Sequence, residues 1–317
     1  MRKRSLSESF LKKFYEGGKW AKITSLAKYD SSLDFEMRGN CIILYYRGGK
    51  ILQIYEDDTL CGIDSKYAAN DVYQITYPNL SYEDIESYIS KAKSLIDKYQ
   101  IEVVKNLGEK EIQQRVVYEN NQSVNSEDND YFIADIEWED NKELGGRADI
   151  VAFKWNHTSH YHRKVKLAII EVKQGESSIR TGKKKNKNSD NEEKDTAGLK
   201  KHYDDFLKLK KNKEYVNEVS KDMLCVLHQK YKLGLVNGLK DLFVDDMMPI
   251  IEDGIDFIFL LANYKPYSMQ LRNELEILPE CKFFIGSFMG YVLYKDFIIK
   301  KTALINMFPQ VKGFKNR

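Results

Sequence analysis

Two hydrophobic periods alternate along this chain. CIILYYR (41–47) and KILQIYE (50–56) are apolar and aromatic runs on either side of Gly48-Gly49, the signature of a β-hairpin. The period then lengthens. In SYEDIESYISKAKSLIDK (81–98), Ile85, Tyr88, Ile89, Ala92 and Ile96 recur every three to four positions behind an N-cap residue, Ser81, which predicts an amphipathic helix. GEKEIQQRVVYENN (108–121) reads as a further helix with Ile112, Val116 and Val117 inward, closed by the polar stretch NQSVNSEDND.

Three strand-like runs follow: YFIADIEW (131–138), RADIVAFKW (147–155) and VKLAIIEVK (165–173). The first alternates, with Phe132, Ala134, Ile136 and Trp138 on one face and Asp135 and Glu137 on the other. The other two are apolar nearly throughout, as in strands covered on both faces. Gly145-Gly146 and NHTSHYHR mark the turns between them. Beyond 175, GKKKNKNSDNEEKD reads as a polar loop, and a helix over about 195–211 carries Leu199, Tyr203, Phe206 and Leu207. DMLCVLHQ (222–229) and IDFIFLLANY (255–264) read as strands, and CKFFIGSF (281–288) as a strand paired with YVLYKDF (291–297). YSMQLRNELEIL (267–278) reads as an amphipathic helix. This order predicts an α/β fold, with a central mixed sheet flanked by helices.

Composition narrows the function classes. The chain has 317 residues, 42% of them hydrophobic and 31% charged, which excludes global disorder. No apolar run approaches a membrane span, and the start, MRKRSLSESFLKKFYEGG, lacks the apolar region of a secretory signal. The expectation is a cytoplasmic protein without membrane partners. Cys41, Cys61, Cys225 and Cys281 have no metal-ligand spacing and read as buried small hydrophobes. Net charge is only +2, so any polyanion site rests on local clusters such as the lysine-rich stretch 177–213. His157, His160 and His162 crowd one turn and read as solvated. No P-loop, dinucleotide glycine fingerprint or serine nucleophile elbow is present.

The chemistry gathers on 145–175. Glu171 and Lys173 are two apart on one strand and therefore share a face. Asp149, early in the preceding strand, is brought towards them if the two strands close as an antiparallel hairpin in a favourable register. Asp149 and Glu171 are hard oxygen ligands suited to Mg²⁺ or Mn²⁺, with the Val172 carbonyl as a further oxygen. Lys173 beside such a metal is placed to orient or deprotonate water and to stabilise charge on a phosphate.

Arg147-Ala148-Asp149-Ile150-Val151, followed by an apolar strand ending in Glu171-Val172-Lys173-Gln174, resembles the PD-(D/E)XK nuclease superfamily. Ala148 stands where the proline would be. The resemblance covers roughly 106–230 and implies a restriction-endonuclease-like core: a helix, a three-strand meander, a helix and a fourth strand. It divides the chain into an N-terminal accessory region with a β-hairpin (1–100) and a nuclease-like domain (101–317). It implies a divalent-metal-dependent nuclease acting on nucleic acid, DNA before RNA, with Asp149, Glu171, Lys173 and a first-helix glutamate in the site. Glu111 is the first choice for that glutamate, as catalytic group and metal ligand, and Glu109 the second. Nucleic-acid contacts are implied for Arg147, Gln174, Lys200, Lys201 and Tyr203. GLKKHYDDF lacks the glutamine common on the second helix, which leaves open an inactive nuclease-fold module that binds nucleic acid or protein.

Overall fold

The structure is a computed structural model that describes residues 3–67, 84–104, 108–124, 126–140, 146–155, 162–180, 182–185, 193–196, 198–265, 268–286 and 290–308. The N-terminal part carries helices α1 (Glu8–Lys12) and α2 (Ala21–Tyr29), then strands β1 (Leu33–Met37), β2 (Cys41–Tyr46), β3 (Gly49–Tyr55) and β4 (Leu60–Cys61), then helix α3 (Asp84–Tyr99). Helix α4 (Glu109–Asn121) leads into β5 (Tyr131–Glu139), β6 (Arg147–Trp155) and β7 (Lys164–Gln174). After them come α5 (Gly175–Ile179), β8 (Gly182–Lys185), β9 (Glu193–Thr196), α6 (Leu199–Lys211) and α7 (Lys213–Lys232). The chain continues through β10 (Ile250–Ala262), α8 (Met269–Ile277), β11 (Lys282–Gly286), β12 (Ile299–Lys300) and α9 (Lys301–Met307).

The fold is mixed α/β. A four-stranded antiparallel sheet has the order β1-β2-β3-β4, and a six-stranded mixed sheet has the order β12-β11-β10-β7-β6-β5. In the larger sheet β5, β6 and β7 form an antiparallel meander, and β10 lies parallel to both β7 and β11. One apolar cluster takes Leu167 and Ile169 of β7 with Leu199, Phe206 and Val219 of α6 and α7. It runs on without a break into Phe10, Phe35 and Ile54 of the N-terminal part. A second cluster, on the other face of β7, joins Ala168, Ile170 and Val172 to Ile112, Val116 and Val117 of α4. The sheet thus lies between α4 and the α6–α7 pair.

The sequence pattern is obeyed closely in α3, whose buried residues are Ile85, Tyr88, Ile89, Ala92 and Ile96; Ser81 lies outside the described residues. Elsewhere the structure departs from expectation for identifiable reasons. Residues 222–229 are helical. Read in isolation they form an apolar run that suits either state, but Tyr215, Val216, Val219, Met223, Val226 and Leu227 recur at helical spacing across α7. The Asn212 side chain caps that helix by accepting from the Tyr215 N–H at 3.0 Å. The strand beyond the second helix layer is therefore β10. Residues 291–297 do not pair with β11, whose partners are β10 and β12. The Asn120 amide instead donates to the Tyr291 carbonyl and accepts from the Leu293 N–H, both at 2.9 Å. In β5 a bulge between Ile133 and Asp135 shifts the register, which moves Ile136 to the α4 face. The polar loop after 175 contains the short β8–β9 ladder. Cys225 is exposed, whereas Cys41 and Cys281 are buried. His162 is exposed, and His157 and His160 lie outside the described residues.

As the last strand of its sheet, β5 has an edge to satisfy, and side chains bond to its backbone. Asn121 bonds both the N–H and the carbonyl of Ile133 at 2.9 Å. Arg38 donates to the Ile136 carbonyl at 2.9 Å, and Arg4 to the carbonyls of Glu137 and Glu139 at 3.4 and 3.3 Å. Arg38 also pairs with Asp135, which is fully buried. Lys230 of α7 pairs with the equally buried Glu36 of β1 at 2.7 Å. Breaking one side of such a pair leaves an uncompensated charge in the interior, which costs far more than the intact pair contributes. Arg38→Ala is expected to lower the free energy of unfolding by about 3–5 kcal/mol, read from urea transitions followed by circular dichroism.

Candidate active site

The β6–β7 ladder runs from Trp155↔Val165 to Ile150↔Ile170 and stops there. Beyond that pair, β6 stays with β5 as far as Arg147, and β7 stays with β10 as far as Gln174. The two strands part like a fork, and the next pair in their register would be Asp149 and Glu171. Val172 is the next β7 residue whose N–H faces β6, and its ladder partner would have been Ala148. The Asp149 carboxylate takes that bond instead, with Oδ2 accepting from the Val172 N–H at 2.8 Å. The N–H and carbonyl of one strand residue point to the same side, so the Val172 carbonyl opens into the fork as well.

Glu171 and Lys173 share a face of β7, as alternation requires, and the Lys173 Nζ lies 2.6 Å from Glu171 Oε1. Asp149, Glu171 and Lys173 are only 6%, 4% and 5% exposed. Three ionisable groups this deeply buried are costly unless they compensate one another or bind an ion. A fourth joins them: His202 of α6, whose Nδ1 is 2.9 Å from the same Glu171 oxygen.

The electrostatics divide the two carboxylates. Burial opposes ionisation of Glu171, but the hydrogen bond from His202 and the Lys173 ammonium outweigh it and hold its pKa down at about 2. Burial pushes Asp149 well above the ordinary aspartate range, and repulsion from Glu171 adds to it more than Lys173 subtracts. Burial would lower the pKa of Lys173, yet Glu171 and Asp149 raise it. Lys173 is thus an ammonium at neutral pH, suited to orienting water and steadying phosphate charge.

Mg²⁺ typically takes one or two protein carboxylates and completes its shell from water and phosphate. The fork offers such a donor set. The hydrogen bonds among the described residues use Asp149 Oδ2 and Glu171 Oε1, leaving the second oxygen of each carboxylate, and the Val172 carbonyl stands beside them. A cation would also offset the burial and the repulsion from Glu171 that oppose ionisation of Asp149. Among the described residues no group of three or more His, Cys, Asp and Glu is arranged to hold a metal, so an ion here would draw much of its shell from solvent and substrate.

The remaining expected residues are dispersed. Residues two apart on a helix point in nearly opposite directions, so Glu109 and Glu111 cannot both face the fork. Glu109 feels Lys173, Glu171 and His202, with its pKa raised mainly by burial. Glu111, the first choice from sequence, instead meets Arg115 at 3.1 Å and Arg47 at 3.4 Å, where the β2–β3 turn docks on α4. That docking is close: Gly48 has φ +77°, a Cβ there would lie 2.8 Å from Lys110 Cβ, and its N–H donates to Gln114 at 2.9 Å. Arg147 and Lys201 are exposed. Lys200 pairs with Asp204 on its own helix. Tyr203 packs with Phe206 and Phe257, ring centroids 6.3 and 6.0 Å away. Gln174 sits half-buried at the end of β7. His202 was missed, although the sequence carried a signal. It falls three residues after Leu199 and four before Phe206, on the inward stripe of α6, and a polar residue there must meet a buried partner.

Comparison of the chain with protein-family models, with curated proteins and with solved structures finds no match in any of the three. The residues of the fork and their surroundings therefore carry the functional argument.

Because the folded pKa of Asp149 is raised, its contribution to stability is complete below the unfolded aspartate value of about 3.9 and is lost as pH rises through the folded value. Asp149→Asn escapes that loss while keeping an acceptor for the Val172 N–H. The variant is expected to be more stable than wild type at pH 7 by about 0.5–2 kcal/mol, with the difference shrinking towards pH 4. Urea midpoints measured across that range without divalent metal would expose the error if the difference were constant or reversed.

Proposed function

We propose that this protein is a divalent-metal-dependent nuclease of the PD-(D/E)XK type, hydrolysing phosphodiester bonds of nucleic acid, DNA for preference. The observation that carries this reading is the fork: Asp149, Glu171 and Lys173 meet in one buried cluster where two core strands part. The order of elements supports it too, because α4, the β5–β6–β7 meander, the α6–α7 layer and β10 follow the arrangement expected of a restriction-endonuclease-like core.

Mg²⁺ or Mn²⁺, when bound, would supply Lewis-acid stabilisation of the phosphate and a more acidic water. Asp149 and Glu171, with the Val172 carbonyl, would hold it. Lys173 would orient the attacking water and balance negative charge growing on the phosphate oxygens. His202 fixes the Glu171 carboxylate through Oε1 and so presents its other oxygen in one orientation. Glu109, rather than Glu111, is the acid on α4 placed to act on the fork, directly or through water.

A supercoiled plasmid, linear duplex, single-stranded DNA and RNA incubated with Mg²⁺ or Mn²⁺ test the reading. Cleavage is expected with at least one of them, is stopped by EDTA, and falls about 10²–10⁴-fold in Lys173→Ala. Metal-insensitive binding without cleavage in both wild type and Lys173→Ala would instead indicate an inactive module on the same fold.

A further inference from the structure

Glu109 stands in the first turn of α4, and the capping of that helix does little to fix it there. The N-cap, Gly108, has no side chain to bond the free N–H groups, and Glu109 itself is only half-buried. The contacts that hold the turn come from the N-terminal part. Tyr46 and Gly49 close the β2–β3 hairpin over the two residues Arg47 and Gly48, with φ of +46° and +77°. Two-residue loops with positive φ follow the twist of the flanking strands, so the strands dictate where the loop points.

That loop meets α4 at Lys110 and Glu111, the two residues after Glu109. The Gly48 N–H donates to Gln114 at 2.9 Å, and a Cβ on Gly48 would lie 2.8 Å from Lys110 Cβ and 3.3 Å from the Glu111 nitrogen. Arg47 Nε reaches Glu111 Oε1 at 3.4 Å. The arginine is held in turn by α3 and the residue after it: Nη1 donates to Asp97 at 2.8 Å, and its carbonyl accepts from Gln100 at 3.3 Å. Lys110 bonds Glu137 of β5 at 2.8 Å. The first turn of α4 is thus tied to both the hairpin loop and the sheet edge. Glu109 and Glu111 point in nearly opposite directions, so the contact that draws Glu111 towards Arg47 turns Glu109 towards the fork. Placement of this kind matters to a rate, because an error of about 1 Å at a group that orders the reacting atoms costs about 10²-fold.

We infer that Arg47 and Gly48 are positioning residues of the candidate active site: their loop sets the rotation of α4 and so aims Glu109 at the fork. The inference rests on the nuclease reading of the fork. It gives the first hundred residues a part in the chemistry, although none of them reaches Asp149, Glu171 or Lys173 among the contacts described.

Arg47→Ala removes the link to Glu111 and leaves the fork residues in place. The Arg47 side chain is 33% exposed, so its ion pairs add little to stability. With Mg²⁺ or Mn²⁺, kcat is expected to fall about 10–100-fold with KM unchanged, and Arg47→Lys should recover part of the loss. Gly48→Ala, which presses a methyl group onto Lys110, should act in the same direction. Circular dichroism melts confirm that the variants are folded. Combining Arg47→Ala with Glu109→Gln separates positioning from a general loss of structure. If the loop acts through Glu109, Arg47→Ala costs little more once Glu109→Gln is in place; an effect of other origin keeps its full size in both backgrounds. Hydrogen exchange in EDTA follows the same contact without chemistry: the first turn of α4 should exchange faster in Arg47→Ala, with β6 and β7 unchanged. Absence of cleavage by wild type on every substrate overturns the nuclease reading, and this inference with it. The inference alone is overturned if wild type cleaves and folded Arg47→Ala and Gly48→Ala cleave equally well. Unchanged exchange in the first turn, or an Arg47→Ala loss of equal size with and without Glu109, overturns it too.

Discussion

The parting of β6 from β7 after Ile150↔Ile170 is the constraint on which the candidate chemistry depends. Had the ladder run on to Ala148 and Val172, backbone would have met the Val172 N–H and the Asp149 carboxylate would have had no role in the sheet. Because the strands part, the carboxylate both satisfies a backbone donor and stands beside Glu171. The same event places a carboxylate where burial and a neighbour of like charge oppose its ionisation. Strain of this electrostatic kind, kept in an otherwise well-compensated interior, is common where a protein binds an ion or performs chemistry.

Helix α4 is the element shared by most of what has been described. Glu109 addresses the fork, Ile112 and Val116 fill the core beneath the sheet, and Glu111 and Gln114 meet the β2–β3 turn. At its end, Asn120 and Asn121 bond the 291–293 segment and the edge of β5. Such division by face explains why a helix with so many polar residues is so deeply buried, with Gln113, Asn120 and Asn121 all at 0% exposure.

Much of the fold was legible because its strongest signals are local. The β2–β3 hairpin, the stripe of α3 and the three meander strands follow from period and turn residues alone. The fork was half legible: alternation joined Glu171 to Lys173, but the register that adds Asp149 is a tertiary property. The failures share a cause. Residues 222–229 were read without the flanking Tyr215–Val219 spacing, and Ile136 was assigned before the bulge in β5 could be known. Glu111 was preferred to Glu109, but neither spacing nor composition reveals which way a helix is turned about its axis. That rotation is set by Arg47 and Gly48, more than sixty residues earlier.

The first turns of the chain have a consequence for how the protein is assembled. The Leu6 N–H and carbonyl bond the Gln229 side chain at 2.9 and 2.8 Å, and the Arg4 N–H bonds Asp222 at 2.7 Å, across 223 and 218 positions of sequence. Contacts so distant close late, because the entropy of the intervening loop must be overcome first. During synthesis the segment around Arg4 emerges before its anchors on α7 exist, and the carbonyls of β5 that Arg4 covers wait with it. The N-terminal strap thus closes only once β5 and α7 are in place.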